Sequence, residues 1–181
     1  GATVIFKVLG RSYLTHLDLH GNAIDYRAAL AIADQLAQSK VTNLNLNHNR
    51  MGDPGSVAIA YTLSESNLTT LSLCFNRITH EGAAILANAL PQSKLLQLDL
   101  RGNNMGDCGA AYIASALPHC GITHLSLREN SIGDAGAAAI ADILAQSSVT
   151  TLDLRGNNMG PAGAAALDSA QERITAVRII R

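Results

Sequence analysis

The stretch LDLRGNNMG occupies Leu98–Gly106 and returns unchanged at Leu152–Gly160. The two copies begin 54 residues apart, and the underlying period is half of this spacing. An asparagine recurs at every twenty-seventh position from Asn22 to Asn157. In every repeat, aliphatic residues precede the asparagine by eight, five and three positions, which gives the unit LxxLxLxxN six times. A period of this length indicates a solenoid, in which each unit buries its apolar face against its neighbours.

The repeated asparagines are predicted to be structural. Each follows an alternating apolar stretch that is typical of a short strand, at the point where the chain bends away. A carboxamide both donates and accepts hydrogen bonds, so it can satisfy backbone groups that such a bend leaves unpaired. The residues predicted to have this role are Asn22, Asn49, Asn76, Asn103, Asn130 and Asn157.

The second half of each unit is predicted to be a helix. In the fifth unit, Ile132, Gly136, Ile140 and Leu144 follow one another at steps of four, which places them on one helical face. Asp134 precedes that face and is a candidate N-cap. Each unit is therefore predicted to contain a strand of about five residues, a turn and a helix of roughly ten to twelve. Parallel strands joined through helices make an α/β fold.

These units predict a single domain over residues 1–181. Repeats begin at residues 14, 41, 68, 95, 122 and 149, and residues 1–13 fit the helical half of an incomplete unit. A terminal strand is predicted at residues 174–180. Its apolar pattern begins two residues before the position that the repeat period predicts, so the sixth helix is expected to be shortened or irregular.

Composition excludes several classes of function. The chain has 48 % apolar residues and a formal net charge of −1, with no basic half, so we expect neither a nucleic-acid nor a membrane partner. Three cysteines without a CxxC pair favour a reducing, intracellular compartment over a disulfide framework or a zinc site. G-x-S-x-G, P-loop and HExxH motifs are absent, so we expect no enzyme, no cofactor and no small-molecule substrate.

The LxxLxLxxN unit resembles the leucine-rich repeat family, and its length and helices resemble the ribonuclease-inhibitor-like subclass. The resemblance covers nearly the whole chain. It implies a horseshoe-shaped solenoid, with a parallel sheet on the concave face, helices on the convex face, and recognition of a partner protein by the concave face.

Helices such as GDAGAAAIA (residues 133–141) resemble those of intracellular innate receptors and bacterial effectors. Together with the even register of the repeats, they favour a secreted bacterial effector that acts in the host cytosol. Two alternatives stay open. One is a GTPase-activating or enzyme-targeting module, and the other is self-assembly through the last strand.

The predicted contact residues are the outward-facing strand residues, because these can vary without disturbing the core. They form three columns across neighbouring strands, together with the aromatic Phe75 that stands directly before an asparagine. The predicted partner-binding residues are His16, Asp18, His20, Asn45, Asn47, Ser72, Cys74, Phe75, Asp99, Arg101, His124, Arg128, Asp153 and Arg155.

Three sets of these residues have alternative interpretations: the arginines, the histidines and Phe75. Arg101, Arg128 and Arg155 stand in one column, where they could grip an acidic or phosphate-bearing partner or could form a solvated ladder with Asp99 and Asp153. His16 and His20 lie about 13 Å apart along a strand, too far for easy sharing of one metal ion. We therefore expect no metal site. Phe75 is either an anchor for the partner or a lid over the turn below it.

Overall fold

A computed structural model describes residue 9, residues 12–174 and residues 176–181. Within these residues, seven strands alternate with six α-helices. The strands are β1 (His16–Asp18), β2 (Asn43–Asn45), β3 (Thr70–Ser72), β4 (Gln97–Asp99), β5 (His124–Ser126), β6 (Thr151–Asp153) and β7 (Arg178–Ile180). The helices are α1 (Tyr26–Leu36), α2 (Gly52–Thr62), α3 (His80–Ala89), α4 (Gly106–Ala116), α5 (Asp134–Leu144) and α6 (Pro161–Arg173).

The strands form one parallel sheet in chain order, from β1 to β7. Each pair of strands is offset by one repeat, so that His16 pairs with Asn43. Each strand spans three residues, fewer than the roughly five expected. Backbone bonds nevertheless continue the ladder, because the Gly21 N–H donates to the Asn47 carbonyl at 2.9 Å. The predicted α/β solenoid is confirmed.

One continuous apolar core lies between the sheet and the helices. The leucines at the alternating strand positions are at most 2 % exposed in the second to sixth units, whereas Leu17 and Leu19 of the first unit are half-buried. Each fully buried side chain stabilises the fold by about 1.5–3 kcal/mol. One helical position is fully buried in every unit, at Ile32, Ile59, Leu86, Ile113, Ile140 and Leu167.

Several helix N-termini are capped by a carboxylate from the preceding unit. Asp107 of α4 accepts the N–H groups of Gly133 at 2.6 Å and Gly136 at 3.0 Å, where α5 begins. The prediction that Asp134 caps its own helix is wrong, because its carboxylate bonds to the start of α6. The remaining bonds of this kind join Asp134 to Gly160 and Gly163, and Asp53 to Thr79 and Gly82.

The carboxamide of Asn103 joins two neighbouring units. Its Oδ1 accepts the N–H groups of Asn76 and Ile78 at 3.0 Å each. Its Nδ2 donates to the carbonyls of Leu73 at 3.0 Å and Leu100 at 2.8 Å. Four backbone groups at the bend are thereby satisfied in a place from which water is excluded.

The repeated asparagines alternate between two hydrogen-bonding geometries from one unit to the next. Asn49 and Asn157 bond as Asn103 does. Asn76 and Asn130 donate to the unit before, but their buried Oδ1 atoms have no partner in the described part of the chain. Adjacent units therefore differ, and the structural repeat is two units long, which matches the spacing between the two copies of LDLRGNNMG.

The C-terminal end differs from the expectation. β7 begins at Arg178, which pairs with Thr151 one full repeat earlier in the chain and so keeps the period. Helix α6 has 13 residues and is not shortened. The expected early strand and short helix are wrong, because Ile174 and Val177 pack against the core from the turn before β7. The helical half-unit expected at residues 1–13 falls mostly outside the described residues.

Candidate functional site

The face of the sheet that points away from the helices carries one polar or histidine side chain at the first position of each strand from β1 to β6. His16, Gln97 and His124 are exposed there, and the other three are half-buried. Neighbouring strands lie about 4.8 Å apart, so these side chains form a continuous row. We call this row the sheet floor: His16, Asn43, Thr70, Gln97, His124 and Thr151.

In most strands, the side chain of the third residue accepts a hydrogen bond from the backbone N–H two residues further along. Asp99 Oδ1 accepts the N–H of Arg101 at 3.1 Å, two residues further along. Asp18, Asn45 and Asp153 accept in the same way. These side chains satisfy a backbone donor where the strand ends. This column was expected to be free to vary, and its backbone role could have been predicted, because Asx residues at a strand end are a known signal for it.

The arginine column is paired with carboxylates. Glu129 Oε1 accepts from Arg101 Nη2 at 3.0 Å and from Arg128 Nε at 2.9 Å. Hydrogen bonds from Arg101 and then Arg128 lower the pKa of Glu129. Arg155 bonds to Asp153 and lowers the pKa of that carboxyl. The expected partner Asp99 accepts a backbone N–H instead, and Glu129, which sequence analysis did not single out, takes its place.

Cys74 departs from its predicted position among the contact residues. Its side chain is 5 % exposed, and burial raises the pKa of its thiol. Its strand-end N–H is bound by Asn47 Oδ1 at 2.7 Å. Cys74 therefore presents almost no surface to a partner, unlike its neighbour Phe75.

A row of three contacting rings runs along the edge of the sheet where the strands end. The ring centroids of His20 and His48 lie 4.8 Å apart, and those of His48 and Phe75 lie 4.4 Å apart in a stacked arrangement. The Arg101 guanidinium carbon lies 5.3 Å from the Phe75 centroid, a cation–π contact. Rings and ion pairs thus form one strip, which we call the rim ridge: His20, His48, Phe75, Arg101, Arg128 and Glu129.

Three members of the rim ridge adopt a left-handed backbone. The position before the asparagine has a positive φ in all six units, and it is glycine in three of them. His48, Phe75 and Glu129 occupy it with φ of 54°, 53° and 55°. A side chain in this region costs about 1–3 kcal/mol. Ala23, Arg77 and Ser131 share this conformation one position after an asparagine, so the left-handed backbone is not confined to the rim ridge.

The predicted contact residues lie along the same open face. The exposed ones are His16, Asp18, His20, His124 and Arg155. The half-buried ones are Asn45, Asn47, Ser72, Phe75, Asp99, Arg101, Arg128 and Asp153. His48 is also exposed on this face and stands directly before an asparagine, as Phe75 does.

The described residues contain neither a cluster that could hold a metal ion nor a helix that could span a membrane. Within residues 12–174 and 176–181, histidines, cysteines and carboxylates do not gather in threes that could hold a metal ion. In the same part of the chain, every helix is too short or too polar to cross a bilayer.

A sequence model described as Leucine Rich repeat matches six segments of the chain, at residues 12–33, 37–60, 65–87, 92–114, 120–141 and 145–167. These segments make up more than half of the chain and follow the six units of the structure.

Solved structures share the fold. Leiomodin-1 actin-binding site 2 superposes with a TM-score of 0.60 at 18 % identity, over 93 % of this chain and 88 % of that one. An internalin (inlF) from Listeria monocytogenes strain 4b F2365 superposes with a TM-score of 0.61 at 17 % identity, over 99 % of this chain and 50 % of that one. The present chain thus spans half of the internalin chain. A search of curated proteins gives no match.

Proposed function

Because the chain belongs to the leucine-rich repeat family, we propose that it is a protein-binding module that receives its partner on the open face of the sheet. The observation that supports this proposal most is that different residues of each unit form the core and the outward-facing surface. Leucines and helices are committed to the core, whereas the sheet floor and the rim ridge present outward-facing polar and aromatic side chains. An extended row of such side chains is the surface that solenoids offer for recognition.

A matched pair of variants tests this proposal. Gln97→Ala with His124→Ala removes two exposed floor side chains, and Asp34→Ala with Asp142→Ala removes two exposed helical ones. Proteins captured from cell lysates by the wild-type chain would be identified, purified and titrated against each variant. We expect the floor variant to weaken binding and the helical variant to match the wild type. The reverse pattern would place the partner on the helices and contradict the proposal.

The finer form of the proposal is a secreted bacterial effector of the ribonuclease-inhibitor-like subclass that acts in the host cytosol. The full α-helix in every unit, which ranges from 10 residues in α3 to 13 residues in α6, supports it, as does the constant register of the strands. A translocation assay tests it, with the chain fused to a β-lactamase reporter and expressed in bacteria that secrete effectors into host cells. Reporter signal in the host cytosol is expected. Retention inside the bacteria would overturn this finer form and leave the protein-binding proposal standing.

A further inference from the structure

We propose that the rim ridge binds an acidic segment of the partner protein, in which a carboxylate lies beside an aromatic or aliphatic side chain. The inference rests on the proposed function and adds to it a location and a partner chemistry. It places the strongest contacts at the edge of the sheet, where the rings and ion pairs lie, and gives the sheet floor a secondary role.

Charge is the first argument. Arg101 and Arg128 share a single oxygen of Glu129, so the three side chains carry one net positive charge. Their side chains are 37 % and 31 % exposed, and Glu129 is 32 % exposed. Each guanidinium has five N–H donors, of which Glu129 takes only some. A second carboxylate could accept from both guanidiniums and complete the neutralisation through charge-assisted bonds.

The stacked rings supply the apolar half of the site. His20, His48 and Phe75 form a continuous row of ring contacts, tilted between the two histidines and stacked between His48 and Phe75. The Phe75 ring lies over Gly102, where a Cβ would come within 2.2 Å of it. Exposed aromatic surface beside a charged group is typical of residues that dominate binding energy. Because Arg101 contacts Phe75, a partner carboxylate on the arginines brings its neighbouring apolar side chain onto the rings.

The backbone conformation of the rim ridge gives secondary support to the inference. Gly21, Gly102 and Gly156 occupy the left-handed position in three units, which shows that the fold does not require a side chain there. His48, Phe75 and Glu129 hold the same conformation against the steric preference of L-residues. Strain of this kind clusters at binding sites. Ala23, Arg77 and Ser131 are left-handed as well, each directly after an asparagine and outside the rim ridge. The backbone conformation therefore supports the inference only together with the charges and the ring contacts.

A phage-displayed library of random dodecapeptides, selected on the immobilised full chain, tests the proposal. We expect enriched peptides to carry Asp or Glu beside an aromatic or aliphatic residue. Labelled synthetic copies would then be titrated by fluorescence anisotropy. Arg128→Gln is expected to weaken peptide binding about tenfold, because one charge-assisted contact is lost. Replacing the acidic residues of the peptide by Asn or Gln should weaken binding to the same extent, for the same reason. Arg27→Gln, an exposed arginine on α1, is the matched control and should bind as the wild type.

The outcomes separate this inference from the proposed function. Enriched peptides without acidic residues, or unchanged peptide affinity of Arg128→Gln, would overturn the inference that the rim ridge binds an acidic segment. If those peptides still lost binding to the Gln97→Ala, His124→Ala floor variant, the open face would remain a protein-binding surface. If neither set of variants changed peptide binding, or no peptide were enriched, the inference about the rim ridge would fall, and the lysate partners titrated against the floor and helical variants would decide the proposed function.

Phe75 variants distinguish a binding role from a structural one. Phe75→Gly removes the ring and relieves the left-handed backbone, whereas Phe75→Ala removes the ring and keeps the strain. We expect both variants to lose peptide binding about tenfold, and Phe75→Gly to melt no lower than the wild type. A lower melting temperature of Phe75→Gly with unchanged peptide affinity would make Phe75 a lid over the turn and contradict the inference.

Discussion

At the scale of single residues, the two kinds of asparagine predict different costs of substitution. Asn103→Leu leaves two N–H groups and two carbonyls without their partners. We expect a loss of about 3–5 kcal/mol in the free energy of unfolding. Asn130→Leu should cost less, since Oδ1 of Asn130 has no partner in the described residues. Urea denaturation of both variants measures the difference, and equal losses would contradict the alternation.

A second residue-scale prediction concerns the glycine that faces the capping carboxylate. A Cβ at Gly136 would lie 2.7 Å from Asp107 Oδ1 and 3.0 Å from the Cα atom of Asp107. Gly136→Ala should therefore displace the cap and destabilise the protein by about 1–3 kcal/mol. Gly121→Ala is the matched control, because its nearest neighbour is 3.7 Å away. Thermal denaturation should leave Gly121→Ala close to the wild type, and an equal fall in both would contradict the explanation.

At the scale of elements, four of the six helices are followed by a serine whose hydroxyl bonds to a carbonyl at the helix end, which predicts the effect of a cysteine at the same position after α4. The hydroxyl of Ser66 donates to the Leu63 carbonyl at 3.1 Å. Cys120 has the equivalent position, and its thiol lies 3.7 Å from the Leu117 carbonyl. Cys120→Ser should stabilise the fold by roughly 0.5–1.5 kcal/mol, because a hydroxyl is the stronger donor. Cys108→Ser, at an exposed site, is the control, and a lower melting temperature of Cys120→Ser would contradict this account.

The elements also show what the sequence could and could not predict. Strand and helix positions follow from apolar spacing, as the burial of Leu98 and Ile140 illustrates. The bonding of Asp134 could not be read from its neighbours in sequence, because its carboxylate reaches a helix 26 residues away. Glu129 was missed for the same reason, since its partner Arg101 lies one unit back. Periodicity identifies positions within a unit, whereas contacts between units depend on three-dimensional stacking.

At the scale of the whole molecule, alternation predicts that the chain tolerates the loss of two units better than the loss of one. Deleting residues 95–148 joins the third unit to the sixth, so Asn157 can accept the bonds that Asn103 accepted. Deleting residues 95–121 joins two units of the same kind. Either deletion removes the capping carboxylate of the helix after the junction, Asp107 for α5 or Asp134 for α6, so the caps do not favour one deletion over the other. We expect the shorter deletion to give the lower melting temperature in calorimetry. The opposite order would show that single units are interchangeable.

The sequential order of the strands has a mechanical consequence. Each rung, meaning one strand with the helix that follows it, contacts only the rungs next to it in the chain. Strands far apart in the sheet never touch. A force pulling the two ends apart therefore meets no distant clamp, and it peels rungs from an end in turn. Each rung frees one repeat of the chain, or about 95 Å when fully extended. The molecule should yield under tension as a series of short steps, with the remaining rungs still folded.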